Sequence, residues 1–168
     1  MPHSTHLASI NRAEAQLMAL THTIEAAPIA DRYARGWHCL GLAADYKDGK
    51  PHTVNAFGTR LVAYLGEDQQ VHVLDSYCPH MGADLSHGHV RGNSVVCPFH
   101  AWSWGSDGVC NNIPYAKRIP PKARVKSWPT CEQNELLFVW NDPENNPPPP
   151  EVSIPRIDAC FSDKWSDW

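Results

Sequence analysis

Cys78-Pro-His-Met-Gly-Ala-Asp-Leu-Ser86 and Cys97-Pro-Phe-His-Ala-Trp-Ser-Trp104 are the two stretches on which the reading of this chain turns. Each supplies one thiolate and one imidazole, and 16 residues separate His80 from Cys97. Residues two apart in an extended segment point to the same side, so Cys78 and His80 can face one point. Cys97 and His100 can face it across a tight turn. Two such loops side by side make a clasp of four ligands: Cys78, His80, Cys97 and His100. Two turn signals lie close by, Arg91-Gly92-Asn93-Ser94 and Ser106-Asp107-Gly108. Both offer residues that tolerate positive φ, so two β-hairpins are expected around the clasp.

Mixed loops of this kind suit a Rieske-type 2Fe-2S cluster, in which two cysteines hold one iron and two histidines the other, so that each loop reaches both irons. Replacing two thiolates by neutral imidazoles raises the potential into a range of roughly -150 to +300 mV and lets the centre couple electrons to imidazole protons. Tetrahedral zinc is the alternative, since two Cys and two His satisfy it equally well. Zinc modules, however, generally pair like ligands, as in C-x2-C with H-x3-H. Respiratory Rieske proteins carry an extra cysteine in each loop, joined as a disulfide; Ala83 and Phe99 stand at those positions here. The respiratory type also has glycine and then serine after its second histidine, where this chain has Ala101 and Trp102. With fewer hydrogen bonds to sulfur, a potential near the low end is expected. Pro79 and Pro98 stiffen the loops, and Gly82 and Gly88 let backbone amides approach the cluster sulfurs. Trp102 and Trp104 alternate as on a strand that shields the cluster, or as plain core residues.

Working outward, the chain from Trp37 shows short apolar runs between turn residues, at 37–43, 53–57, 60–65, 70–74, 94–97, 101–104, 123–128 and 136–140. That rhythm predicts an all-β domain of small antiparallel sheets; joined to the mixed Cys/His loops and the two hairpins, the expected fold is the Rieske 2Fe-2S fold with a two-hairpin cluster-binding subdomain. Residues 1–30 read as an N-terminal extension with a short helix over 9–20 behind Ser9, and 31–142 as the cluster domain. Residues 143–168 read as a linker around Pro147–Pro150, followed by the start of a domain not contained in the chain. Phe161, Trp165 and Trp168 are its orphan aromatics, unless the tail folds back on the β domain.

The 168 residues carry a formal charge of -4, from 18 acidic and 14 basic side chains, which leaves no basic footprint for nucleic acid. The N-terminal Met-Pro-His-Ser-Thr-His lacks a basic run, and Glu14 and Gln16 interrupt the Ala/Leu stretch at 13–20. Neither a signal peptide nor a membrane span is expected, and the compartment expected is the cytoplasm. Cysteines there are metal ligands or inert thiols rather than disulfides.

The loop sequences resemble those of Rieske-type non-haem iron oxygenases. Arg32-Tyr-Ala-Arg-Gly-Trp-His-Cys-Leu-Gly41, Pro114-Tyr-Ala-Lys-Arg118, Leu136-Leu-Phe-Val-Trp140 and Asn146-Pro-Pro-Pro-Pro-Glu151 extend the resemblance to the oxygenase components of bacterial 3-ketosteroid 9α-hydroxylases. It covers about residues 31 to 168. It implies a two-component monooxygenase of sterol breakdown, in which an NADH-dependent flavin and iron-sulfur reductase passes electrons to the cluster and on to a mononuclear Fe(II). In such enzymes that iron sits in a C-terminal domain on two histidines and a carboxylate, activates O₂ and hydroxylates the steroid, and full-length forms are homotrimers. No histidine follows Trp140 here, so the oxygen chemistry does not carry over. A stand-alone Rieske ferredoxin is the other electron-transfer reading.

His3, His6 and His22 lie in the extension, and His38, His52, His72, His87 and His89 lack a partner at ligand spacing, though His87 and His89 sit between the ligand loops. Cys39, Cys110, Cys131 and Cys160 are scattered and take no assigned role. Lys117, Arg118, Lys122, Arg124 and Lys126 form the densest basic run, suited to an acidic reductase surface or to a solvated strand face.

Overall fold

The apolar run at 60–65 becomes the middle strand of a sheet covered on both faces, and this explains why it reads as a continuous stretch rather than an alternating one. The structure is a computed structural model that describes residues 33–162. The predicted helix over 9–20, Trp165 and Trp168 all lie outside these residues. Within them the chain is all-β, as expected, with no α-helix: β1 (Gly36–Leu42), β2 (His52–Ala56), β3 (Thr59–Leu65), β4 (Val71–Asp75), β5 (His89–Arg91), β6 (Ser94–Val96), β7 (Ser103–Gly105), β8 (Cys110–Asn112), β9 (Ser127–Trp128), β10 (Thr130–Gln133) and β11 (Leu136–Asn141). Three small antiparallel sheets result, in the orders β1-β11-β10, β2-β3-β4-β9 and β5-β6-β7-β8.

Side chains alternate across a strand, so β3 feeds two cores. Leu61 and Ala63 pack with Val71, Val73, Trp128, Leu137 and Val139, towards the three-stranded sheet. Val62 and Tyr64 pack with Leu74, Val95, Cys97 and Trp104, towards the hairpin sheet. All four residues 61–64 are fully buried. The ligand cysteines predicted from sequence therefore sit in a core of their own, separate from the one that closes the rest of the domain.

Both predicted turns are present. Arg91 pairs with Ser94 around Gly92-Asn93, with Gly92 at φ +61°, the sign a type II′ hairpin needs at its first central residue. Gly108, at φ +77°, closes the β7–β8 turn. A Cβ there would meet the Val125 carbonyl oxygen at 2.2 Å, because the 123–126 segment passes directly beneath it, bonding Val125 N to Gly108 O at 2.9 Å.

That crossing corrects one expectation. The predicted strand at 123–128 is divided: Arg124 bridges to Val109, while Ser127 and Trp128 alone pair with β4. The sequence rhythm also passes over β5, β8 and β10, which are edge strands of composition His-Val-Arg, Cys-Asn-Asn and Thr-Cys-Glu-Gln. An edge strand half-open to water needs little apolar content and so leaves little trace in a hydrophobic pattern.

Beyond the prolines, the described chain returns to the domain. Trp37 Nε1 donates to Val152 O at 2.8 Å, Asn134 Nδ2 to Pro155 O at 3.0 Å, and Ile157 N to Asn134 Oδ1 at 2.8 Å. Phe161 is half-exposed, with Arg156 over its ring at 3.8 Å.

Candidate metal centre

The two predicted ligand loops are built on one backbone figure. In the first, Cys78 N donates to Ala83 O at 2.9 Å and Gly82 N to Cys78 O at 2.8 Å. In the second, Cys97 N donates to Trp102 O at 2.8 Å and Ala101 N to Cys97 O at 3.1 Å. The fifth residue of each loop has positive φ, +74° at Gly82 and +55° at Ala101. Cys78 and His80 therefore approach one another on a tight turn and not along an extended segment as expected, because the Gly82 bond to Cys78 O folds the chain between them. Predicted strand 101–104 starts only at Ser103 for the same reason. An L-residue held left-handed costs about 1–2 kcal/mol, somewhat more than the entropic cost of a glycine. Ala101→Gly is accordingly expected to raise unfolding free energy by about 0.5 kcal/mol, measured by urea titration.

The second loop joins β6 to β7, with Val96 opposite Ser103. The first leaves β4 and reaches β5 through a 3-10 turn, Leu85–His87. This arrangement brings the predicted residues together as two pairs, thiol with thiol and imidazole with imidazole. Cys78 and Cys97 are buried in one core cluster. The His80 and His100 rings meet at 4.8 Å, edge to face, with His80 exposed. Thiols lie inside and imidazoles outside. Burial, with the neighbouring Cys97 thiol adding to it, pushes the Cys78 thiol up to about 11, against the opposing His80 backbone N–H and the Trp104 indole. Such a pair of thiols ionises readily only against a cation. His100 Nδ1 is buried without a hydrogen-bond partner. Among the described residues no three His, Cys, Asp or Glu side chains converge on the space of one metal ion.

Sequence reading missed Asp84, which ties the first loop to the sheet beneath it. Its carboxylate accepts from Ser76 Oγ, from Ser86 N at 2.9 Å, from Ser86 Oγ at 2.7 Å and from Arg60 Nη1 at 2.8 Å. The Asp-x-Ser spacing of a helical cap was the available signal. Burial opposes its charge, but the bonds from Ser76, Ser86 and Arg60 prevail and hold the carboxyl well below its ordinary value. A depressed folded pKa gives stability that is present above the unfolded value of about 4 and lost as pH falls towards the folded one. Asp84→Asn should therefore cost about 2 kcal/mol at pH 7, and the gap from wild type should narrow below about pH 4. Urea unfolding at the two pH values measures this.

Trp102 and Trp104 have different surroundings. Trp104 is wholly buried, as the core reading expected. Trp102 stacks on His80 with ring centres 4.5 Å apart and planes at 11°, and its N–H donates to the exposed Tyr115 hydroxyl at 2.6 Å. Gly82 forms the loop turn, whereas Gly88 serves packing: a Cβ there would lie 2.0 Å from Val96 O. His52 and His72 pair with Asp48 and Asp68 at 2.7 and 3.1 Å, while His87 and His89 are exposed. Cys110 is a buried thiol whose pKa burial raises, and Cys39 is exposed. Of the basic run, Arg124 and Lys126 alternate outward between buried Ala123, Val125 and Trp128, the solvated face of the sequence reading. No helix among the described residues is long and apolar enough to cross a membrane.

Comparison with known proteins adds three findings. The Rieske 2Fe-2S domain family matches residues 36–129. Two curated relatives are the 3-ketosteroid-9-alpha-monooxygenase oxygenase components of Rhodococcus rhodochrous, 58% identical over 82% of this chain and 35% of the relative, and of Mycobacterium tuberculosis, 56% identical over 86% and 38%. The chain thus spans little more than a third of their length. Among solved structures, apo dicamba monooxygenase superposes with a TM-score of 0.70 at 26% identity, covering 80% of this chain and 41% of that one.

Proposed function

The chain belongs to the Rieske 2Fe-2S domain family, and on that premise we propose that it is the electron-carrying portion of a two-component, steroid-type monooxygenase. Cys78 and Cys97 would hold one iron of the cluster, and His80 and His100 the other. The observation that carries this reading is the layering of the four side chains: two buried thiols beneath two adjoining imidazoles, one of them with a buried, unpartnered ring nitrogen. A two-iron cluster asks only two protein ligands of each iron, whereas tetrahedral zinc asks four around one ion.

When bound, such a cluster takes up and gives back one electron. The chain's own residues do the rest. Pro79 and Pro98 stiffen the loops, and Asp84 pins the first loop to β3 and to the end of β4. Trp102 holds the plane of the His80 ring and is itself held by Tyr115. At the imidazole end His80 is exposed and the neighbouring Met81 and Phe99 are 63% and 60% exposed, an apolar rim at which a protein partner would approach the bound group.

The names of the relatives, oxygenase components of a 3-ketosteroid monooxygenase, support a separate reductase as donor and a ketosteroid as the molecule finally hydroxylated; the resemblance of the loop sequences adds that the reductase is an NADH-dependent flavin and iron-sulfur protein and that the acceptor is a mononuclear non-haem iron. Residues 31–142 are the cluster domain and 143–168 the Pro-rich connection. A free-standing electron carrier is the second reading, favoured by the bonds that return 152–157 to the domain.

Reconstituted protein is expected to be brown, with two irons and two acid-labile sulfides per chain, and to show a Rieske electron paramagnetic resonance signal after dithionite reduction. Colourless, zinc-loaded protein would overturn the assignment.

A further inference from the structure

We propose, on the reading of His80 and His100 as cluster ligands, that Tyr115 is a positioning residue of the centre: its hydroxyl holds the Trp102 indole, and without it the His80 ring loses its single orientation. Tyr115 belongs to neither ligand loop. It follows β8 in a turn closed by Ala116 N, which donates to Ile113 O at 3.1 Å. Pro114 fixes φ at the second position of that turn, and the buried Ile113 side chain anchors it in the core that holds Cys78 and Cys97. The Tyr115 ring itself is 62% exposed. Burial therefore does not account for where the ring lies; what ties it down is the 2.6 Å bond its hydroxyl accepts from the Trp102 indole N–H.

Trp102 joins the two ligand loops. Its carbonyl oxygen accepts from Cys97 N at 2.8 Å in the second loop, while its ring lies on His80 of the first, with centres 4.5 Å apart and planes at 11°. The His80 ring has one other aromatic neighbour, His100, edge to face at 4.8 Å. Among the described residues no hydrogen bond reaches the His80 ring. A metal-bound imidazole is generally kept in its plane by a hydrogen bond from its second nitrogen. At His80 the stacked indole takes that part, and an indole holds a plane only where its own plane is held. The backbone bond to Cys97 fixes where Trp102 starts, and the Trp104 ring meets the indole at 5.8 Å. Tyr115 adds the remaining restraint, a bond at the N–H edge from a third segment of chain. Water can satisfy that N–H once the hydroxyl is gone, but water fixes no orientation.

The test is pulsed electron paramagnetic resonance on the reduced holoprotein carrying ¹⁵N-histidine, as wild type, Tyr115→Phe, Trp102→Phe, the double variant and Tyr33→Phe, with iron and sulfide measured in each. Two ligand imidazoles give two sets of nitrogen couplings. Tyr115→Phe removes only an exposed hydroxyl. It should lower the ratio of centres with the wild-type coupling to those without it about fivefold in one set, the weight of one neutral hydrogen bond, and leave the other set unchanged. The double variant should lose no more than Trp102→Phe alone, because Tyr115 acts through the indole N–H. Tyr33→Phe, another exposed tyrosine but one packed on Phe57, should change neither set. Unchanged couplings in Tyr115→Phe, equal changes in both sets, or additive losses in the double variant would overturn the inference while the cluster assignment stands. Absence of a Rieske signal in wild type would overturn the assignment and the inference with it. Should Trp102→Phe or the double variant fail to hold the cluster, the ultraviolet resonance Raman difference between wild type and Tyr115→Phe decides: a shifted indole N–H band beside a change in one coupling set supports the inference, and an unshifted band overturns it.

Discussion

Cys97→Ser should yield colourless protein without iron, sulfide or a Rieske signal, while Cys131→Ser should stay brown with full cluster content. A serine hydroxyl ionises far less readily than a thiol and is a poor partner for iron. At position 97 it would face Cys78 in a closed core, where no other thiol can step in: Cys110, the other cysteine of that core, bonds through its sulfur to Asn112 O at 3.7 Å. Cys131 lies on β10, opposite Phe138 in the three-stranded sheet, away from the ligand loops. Iron and sulfide analysis, with the reduced-state spectrum, reads both variants. Loss of the cluster in Cys131→Ser would show that the four ligands are not the complete set.

Gly88→Ala should lower stability by about 3 kcal/mol, at the upper end of overpacking costs, and reduce cluster occupancy. The added Cβ would lie 2.0 Å from Val96 O and 3.1 Å from Leu85 O. Both are backbone atoms, so no rotamer change relieves the contact. Val96 immediately precedes Cys97, and Leu85 belongs to the segment that closes the first loop; the glycine is where the two halves of the clasp touch. Gly82→Ala is the informative contrast. Nothing lies within 4 Å of a Cβ at Gly82, so only the left-handed backbone is penalised, by about 1–2 kcal/mol. Ala101 bears the same penalty at the equivalent place in the second loop, which shows that the figure tolerates it. Urea unfolding and sulfide content of the two variants should separate them clearly.

The proposed ligand set and the fold class were legible in the sequence for a common reason. A cysteine and a histidine in each of two proline-stiffened loops is a local pattern, legible without knowing where the loops lie. Turns such as Gly92-Asn93 and Asp107-Gly108 are likewise local, because backbone sterics alone demand their residue types. The edge strands β5, β8 and β10 were not legible, since their pairing comes from neighbours rather than from their own composition. The two-residue reach between Cys78 and His80 was read as extended because spacing says nothing of the hydrogen bond that folds it.

By itself, then, the sequence determined that small antiparallel sheets would carry two loops each bearing a cysteine and a histidine, the ligands proposed here, because side-chain chemistry and turn stereochemistry reside in the residues. Only the tertiary structure decided the rest. It placed the thiols inside and the imidazoles outside, set Trp102 against His80, turned the indole of Trp104 into the cysteine core, and gave Asp84 four donors from three segments. Each depends on residues far apart in the chain arriving at one point, and long-range packing, with burial on both faces of the middle sheet, is what brings them there.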